Sequence, residues 1–320
     1  MQAVAIANDA LSARIAPFGA TLVDLRLSGW PEPLVLGFER HEDYAEADHY
    51  AGAVIGRFAN RIRHGRAVLD GRPIRLSING DGHHLHGGGT GAARQSWRLE
   101  EADVTRVVLT WLSPDGHEGY PGNCRVRAVY SVLPPATLRL ELEATTDKPT
   151  FVNLCHHPYF NFSGRPDIFD HHLEIAATHY LVTGPNLIPT GEIRPVGSSP
   201  FNFRQLRALG ANRPQPGFNN TYRLAEASRA HPTFAARLGL PGGPAMELWT
   251  TQPGLHLYDG YKLGSSLVGL GGRIYGPHAG LCLEAQNWPD SPNHGHFPSA
   301  VLCPGETYRQ VTEYRFTLAR

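Results

Sequence analysis

Leu138-Arg139-Leu140-Glu141-Leu142-Glu143 alternates one apolar residue with one charged residue. Successive side chains of a strand point to opposite faces, so this stretch reads as a β-strand with one face in a core and the other in water. The pattern recurs on both sides of it. Val126, Ala128, Tyr130 and Val132 alternate with Arg125, Arg127 and Ser131, and Val129 alone interrupts the polar side. Val23, Leu25 and Leu27 alternate with Asp24 and Arg26, and Tyr314, Phe316 and Leu318 with Arg315 and Thr317. Asp70-Gly71, between Ala67-Val68-Leu69 and Pro73-Ile74-Arg75-Leu76, has the form of a hairpin turn. Short apolar runs at 104–112, 173–177, 246–250, 255–258 and 281–283 predict further strands. Helical candidates are few: residues 202–209, capped by Asn202 and ended by Gly210, and a turn or two within 39–48. Strands do not alternate with long helical patterns, which disfavours a parallel α/β sheet. There is no internal repeat, charge block or low-complexity linker, and the Pro/Gly clusters at 213–217 and 240–244 read as loops. The expected architecture is all-β, a large antiparallel β-sandwich formed as a single domain over residues 1–320.

Composition agrees with that reading and removes several functions. The chain has 320 residues, 41% of them hydrophobic and 18% charged, enough apolar content for a sizeable core. Lys plus Arg and Asp plus Glu both number 29, so the net charge is zero. A general electrostatic grip on nucleic acid or anionic lipid is therefore not expected. The 35 glycines and 26 prolines suit many turns and few long helices. Cys124, Cys155, Cys282 and Cys303 include no C-x-x-C pair and make no disulfide framework, so they read as mostly buried thiols. No run approaches a membrane span, and the N-terminal stretch lacks the form of a secretory signal, so a cytoplasmic location is expected. The 17 histidines are more than such a chain needs for packing.

Some motifs fail on context. Gly87-Gly88-Gly89-Thr90-Gly91-Ala92 matches a dinucleotide-binding pattern but follows a polar stretch instead of a buried strand. His84-x-His86 has the spacing of cupin metal ligands, yet the places where a glutamate would follow hold Thr90 and Gly91. No H-E-x-x-H or G-x-S-x-G occurs.

Five polar clusters remain, each at a loop or strand end. In Gly56-Arg57-Phe58-Ala59-Asn60-Arg61-Ile62, Arg61 and Asn60 offer a fork of donors beside an amide, which suits a hydroxyl-rich ligand; more plainly, the arginines read as a solvated pair. Asn79–Gly88 holds His83, His84 and His86 next to glycines that would let backbone and imidazole approach a ligand. In Asn153–Asn161, His157 is either a satisfied core histidine or one tuned by burial for proton transfer. Gly217-Phe218-Asn219-Asn220-Thr221-Tyr222 reads as a polar turn. Glu284, ending the apolar run of Gly280–Asp290, is expected to be buried, and burial raises a carboxyl pKa toward the range of a useful base.

In this order the clusters resemble the aldose 1-epimerases, also called galactose mutarotases. The resemblance runs from Gly56 to the end of the chain and includes Asp115-Gly116-His117-Glu118-Gly119-Tyr120-Pro121-Gly122, Pro189-Thr190-Gly191-Glu192 and Pro304-Gly305-Glu306-Thr307-Tyr308. It implies the galactose mutarotase-like supersandwich, no cofactor and no metal. It implies interconversion of the α and β anomers of a free monosaccharide by ring opening and closure. By the same resemblance Glu284 takes the anomeric proton, His157 donates to the ring oxygen and His86 bonds near that oxygen. Arg61 holds sugar hydroxyls with Asn60 beside it. This chain departs from the family pattern where Asn219 replaces a sugar-binding aspartate and His256 stands in place of a glutamine; both still fall at substrate-binding positions. His156 and Pro158 also flank His157 where asparagine and serine are usual. A sugar-phosphate 1-epimerase and a non-catalytic sugar-binding module on the same fold are the alternatives. The sequence says nothing of oligomeric state.

Overall fold

The nine strands that form the largest sheet pair antiparallel in the order Arg207–Ala208, His172–Ile175, Thr233–Gly239, Pro244–Thr250, Tyr308–Leu318, Thr137–Thr146, Cys124–Leu133, Arg106–Ser113 and Arg98–Ala102. This is a computed structural model, and it describes residues 3–47, 49–264 and 266–319. At the centre of the sheet Leu138, Leu140 and Leu142 are buried and stand opposite Val132, Tyr130 and Ala128. On their other side the partners are Tyr314, Thr312 and Gln310. Arg139, Glu141 and Glu143 take the wetter face, so alternation delivers the half-buried strand it predicts.

A five-stranded antiparallel sheet runs Pro189–Pro195, His179–Thr183, Asn219–Arg223, Gly254–Tyr258 and Cys282–Gln286. A three-stranded sheet is built from Val4–Ala7, Leu11–Ala16 and Thr21–Leu27. All three contribute to one continuous core, in which Leu255, Leu257, Leu283 and Ala285 join Tyr130, Leu140, Met246 and Leu248, and Leu22 and Leu25. The sheets thus pack face on face as an antiparallel sandwich, as the sequence predicts. The hairpin at Asp70-Gly71 is present: Leu69 pairs with Arg72, and both turn residues have positive φ. Residues 240–243 likewise turn between paired strands.

Helix is scarce. Asp43–Glu46 forms one turn within the expected 39–48 stretch, whose last residue, Asp48, lies outside the described residues, as do Met1 and Gln2. The helix expected over 202–209 does not form. The Asn202 carbonyl accepts from Arg207 Nε at 3.0 Å instead of from a helical N–H, and Arg207 stacks over Phe203 at 3.9 Å. Arg207–Ala208 then pairs with His172 and Leu173 at the edge of the large sheet. Tertiary pairing overrides a weak local preference. No helix among the described residues is long and apolar enough to cross a membrane.

Candidate active site

Period-2 geometry builds the floor of the site. In Gly254–Tyr258, Leu255 and Leu257 enter the core, so His256 points to the opposite face. In Cys282–Gln286, Leu283 and Ala285 do the same, which turns Cys282, Glu284 and Gln286 the other way. Register then aligns Thr221, His256 and Glu284 in one row across three strands, with Asn219 two residues from Thr221 on the same face. The Asn219 segment is therefore a strand and not the polar turn its composition suggests.

A wall of short segments faces this row. Cys155–His156 pairs with Val54–Ile55, and the His157 backbone is fixed at both ends, its N–H to Ala53 O at 3.0 Å and its C=O from Gly52 N at 2.9 Å. His157 Nε2 lies 3.5 Å from Glu284 Oε1, with both side chains 4% exposed or less. Arg61 pairs with Leu85, which brings Asn60 and His86 opposite each other. They clasp: His86 N–H donates to Asn60 O at 3.0 Å, and Asn60 N–H donates to His86 Nδ1 at 3.2 Å. Both residues have left-handed φ, 63° and 53°, a region that Asn and His enter more readily than most residues.

The glycines that directly follow His86 are not among the residues that line the cavity. A side chain on Gly87 would collide with the Gly56 carbonyl, so that glycine permits close backbone packing behind the histidine. The Asp115–Gly122 motif serves the same loop. Glu118 accepts from Thr90 N–H at 2.6 Å and from the Ser77 hydroxyl, holding the turn that follows His86.

All seven residues singled out in the sequence, Asn60, Arg61, His86, His157, Asn219, His256 and Glu284, line one cavity. Asp81 and Tyr159, from two of the polar clusters, line it too, as do His49, Tyr50, Tyr258 and Lys262, which the sequence did not single out. The arginines of the first cluster are not a solvated pair. Arg61 is 9% exposed and faces the cavity, with Nη1 3.4 Å from Asn60 Oδ1. Arg57 is fully buried and donates to Ser113 Oγ and to the carbonyls of Ser113, Pro114, Pro121 and Gly122. Two neighbouring histidines, His84 and His156, are satisfied in the core. Tyr120 Oη meets His84 Nε2 at 2.6 Å while His84 Nδ1 lies 2.8 Å from Ser77 O, and His156 lies between Tyr314 Oη and Gly52 O, at 3.1 Å from each. His84 therefore has no free nitrogen for the cupin-like pairing with His86.

Burial sets the electrostatics. It pushes the Glu284 carboxyl up to about 8, against a thiol hydrogen bond from Cys155 and the charge of Arg61. It draws His157 down to about 4 and His256 to about 3, and it holds His86 well below the ordinary imidazole range, helped by His157 and Arg61. Desolvation also lowers Arg61, which remains charged at any working pH. Neutral His256 completes a relay: its Nδ1 lies 2.8 Å from Thr221 Oγ1 and its Nε2 2.9 Å from Asn219 Oδ1. Since Asn219 Oδ1 only accepts, His256 Nε2 donates to it and Nδ1 accepts from Thr221. The Asn219 NH2 is left to face the cavity. Thr221 was legible in principle, because it alternates with Asn219 along a strand.

A buried acid–imidazole pair facing a ring of hydrogen-bond donors is the arrangement found in a chain whose residues 2–315 match the aldose 1-epimerase family model. The chain belongs to the aldose 1-epimerase family. The match begins well before Gly56, where the sequence resemblance began. This epimerase-family chain is 39% identical to galactose mutarotase of Mus musculus over 98% of its own length and 93% of the relative's. It is 31% identical to aldose 1-epimerase of Escherichia coli (strain K12) over 97% and 93%. Among solved structures, an aldose epimerase homologue from C. elegans superposes with a TM-score of 0.93 at 29% identity, covering 99% of both chains. Galactose 1-epimerase from Lactobacillus acidophilus superposes at 0.86 with 27% identity, over 99% of this chain and 95% of that one.

In this epimerase-family site His86, His157 and Glu284 form a cluster with ligand atoms within 4.8 Å of one another, so a metal has to be considered. The donor set does not suit one. Asn60 N–H occupies His86 Nδ1, which puts the proton of the neutral ring on Nε2 and leaves no lone pair there for a cation.

Proposed function

We propose that Glu284 and His157 are the proton-transfer pair with which this chain interconverts the α and β anomers of a free aldose. The observation that carries the assignment is the 3.5 Å approach of His157 Nε2, from the wall, to Glu284 Oε1, on the floor of the cavity, with both side chains buried. In ring opening Glu284 takes the proton from the anomeric O1. The O1–H bonding pair becomes the second bond of the C1 carbonyl, the C1–O5 bond breaks with its electrons going to O5, and His157 supplies the O5 proton. Rotation about C1–C2 presents the other face of the aldehyde, and the same steps in reverse close the ring. One proton has moved from imidazole to carboxyl and back, so the cycle balances without a cofactor.

O1 and O5 are bonded to the same carbon, so groups a hydrogen-bond length apart reach both. His86 directs its Nε2–H toward the ring oxygen and stabilises charge developing there. Arg61 grips neighbouring hydroxyls with Asn60 holding its guanidinium, and Asn219 offers its NH2 to another, with His256 behind it. Arg61 also favours the ionised carboxylate, which helps return the proton from Glu284 to His157.

The same reading treats residues 1–320 as one domain, supported by a core that the sheets share. It places the enzyme in the cytoplasm, in keeping with four free cysteines. A neutral net charge supports a small sugar and not a nucleic acid as partner.

Polarimetry on freshly dissolved α-anomers of glucose, galactose, xylose, arabinose and fucose tests the assignment. Acceleration is expected for at least one sugar and should fall by about 10²–10⁴-fold in Glu284→Gln, the usual worth of a general acid or base. A variant that keeps the wild-type rate would sink Glu284 as the base. No acceleration across the panel would favour a sugar-binding module.

A further inference from the structure

The strand that carries Glu284 is covered on both faces, and what touches the carboxyl's second oxygen is a thiol. Cys155 Sγ lies 3.6 Å from Glu284 Oε2, while Oε1 looks toward His157 and the cavity. Cys155 belongs to a small apolar cluster with Ala53, Ile55, Ala59 and Ala93, and its thiol is the donor that reaches Oε2 among the described residues. The groups facing Glu284 are few enough to name. Cys155 and His157 come from the 153–161 segment, Arg61 and His86 from the paired segments beside it, and His256 from the adjacent strand. Cys282 lies on its own strand, and the buried hydroxyls of Tyr159 and Tyr314 lie close enough to sense its charge.

Resting on the role given to Glu284 above, we propose that Cys155 is a positioning residue. Its S–H bond to Oε2 fixes which carboxyl oxygen faces the sugar while leaving the carboxylate a strong base. A carboxylate needs a partner when buried, and each partner that favours its ionised form weakens it as a base. An O–H or N–H on Oε2 would orient the group equally well but would stabilise the anion more, because a thiol is a weak donor. The thiol resolves this conflict: it supplies direction with little cost in basicity.

The test is the pH dependence of kcat/KM in two variants that pull in opposite directions. The mechanism needs one proton on the Glu284–His157 pair, so activity falls at alkaline pH when Glu284 loses it. Cys155→Ser installs a stronger donor, stabilises the carboxylate and should move the alkaline limb down by roughly half to one pH unit, in keeping with the strength of hydrogen bonds to ionised groups. Cys155→Ala removes the donor and should move the same limb up. A purely packing role would lower the rate in both without shifts of opposite sign. Limbs that stay fixed, or that shift together, overturn the proposal. Should either variant fail to fold, the infrared S–H band of Cys155 in the wild-type chain serves instead, and it must move in Glu284→Gln. Glu284→Gln also separates the two claims: if it retains activity the base is misassigned, whereas if it is inactive and the Cys155 variants show no opposed shifts, only the thiol's role fails.

Discussion

Burial raises the Glu284 carboxyl and lowers the His157 imidazole, so the two together should hold one proton at neutral pH. With the carboxyl raised to about 8 and the imidazole lowered to about 4, the pair binds two protons below the lower value, one between them and none above the upper. Burial favours the single proton on the carboxyl, and the proposed mechanism starts from its tautomer with the proton on His157. Both have the same charge, so pH does not change their ratio, and the apparent values belong to the pair. We expect kcat/KM to be bell-shaped, falling below about 4 and above about 8. A profile with a single acidic limb would show that the pair does not act with one proton. Residue type and local hydropathy suffice to mark Glu284 as buried and His157 as a candidate. They do not reveal the thiol at Oε2, because Cys155 and Glu284 are 129 residues apart and meet only through the packing of two strands.

At the scale of the element, one alternation rule assembles the floor of the cavity. Thr221, His256 and Glu284 stand in a row because their neighbours Tyr222, Leu255, Leu257 and Leu283 must enter the core. The relay along that row makes Asn219 present donors where an aspartate would present acceptors. Asn219→Asp should therefore tighten sugar binding, lowering KM by about 3–10-fold through charge-assisted bonds with little change in kcat, as read by polarimetry across sugar concentrations. An unchanged KM would mean that this corner does not touch the sugar. Strands and turns were largely legible in the sequence, as Leu138–Leu142 and Asp70-Gly71 show. The 202–209 stretch was not, since its cap-and-glycine pattern is helical while Arg207 ties its own backbone into a loop. The polar turn read at Asn219 failed for a related reason: two asparagines and a threonine obscure a strand whose burial comes from the strands on either side.

Across the whole molecule, Arg57 holds distant segments together. It binds Ser113, Pro114, Pro121, Gly122 and Thr150 from beneath the stretch that bears Asn60 and Arg61. Arg57→Met keeps much of the volume but strands several buried acceptors, and it should cost about 3–5 kcal/mol of stability, measurable by urea unfolding. A loss under ~1 kcal/mol would mean that those acceptors find other partners. The strand bearing Glu284 has a further consequence at this scale. It has no wet face along which to fray, and His86 and His157 are likewise anchored through main-chain bonds to neighbouring segments. The proposed reacting groups are thus tied into the same packing as the core, so heat should not produce a folded but idle protein. Catalytic power and native structure should disappear together, at one temperature.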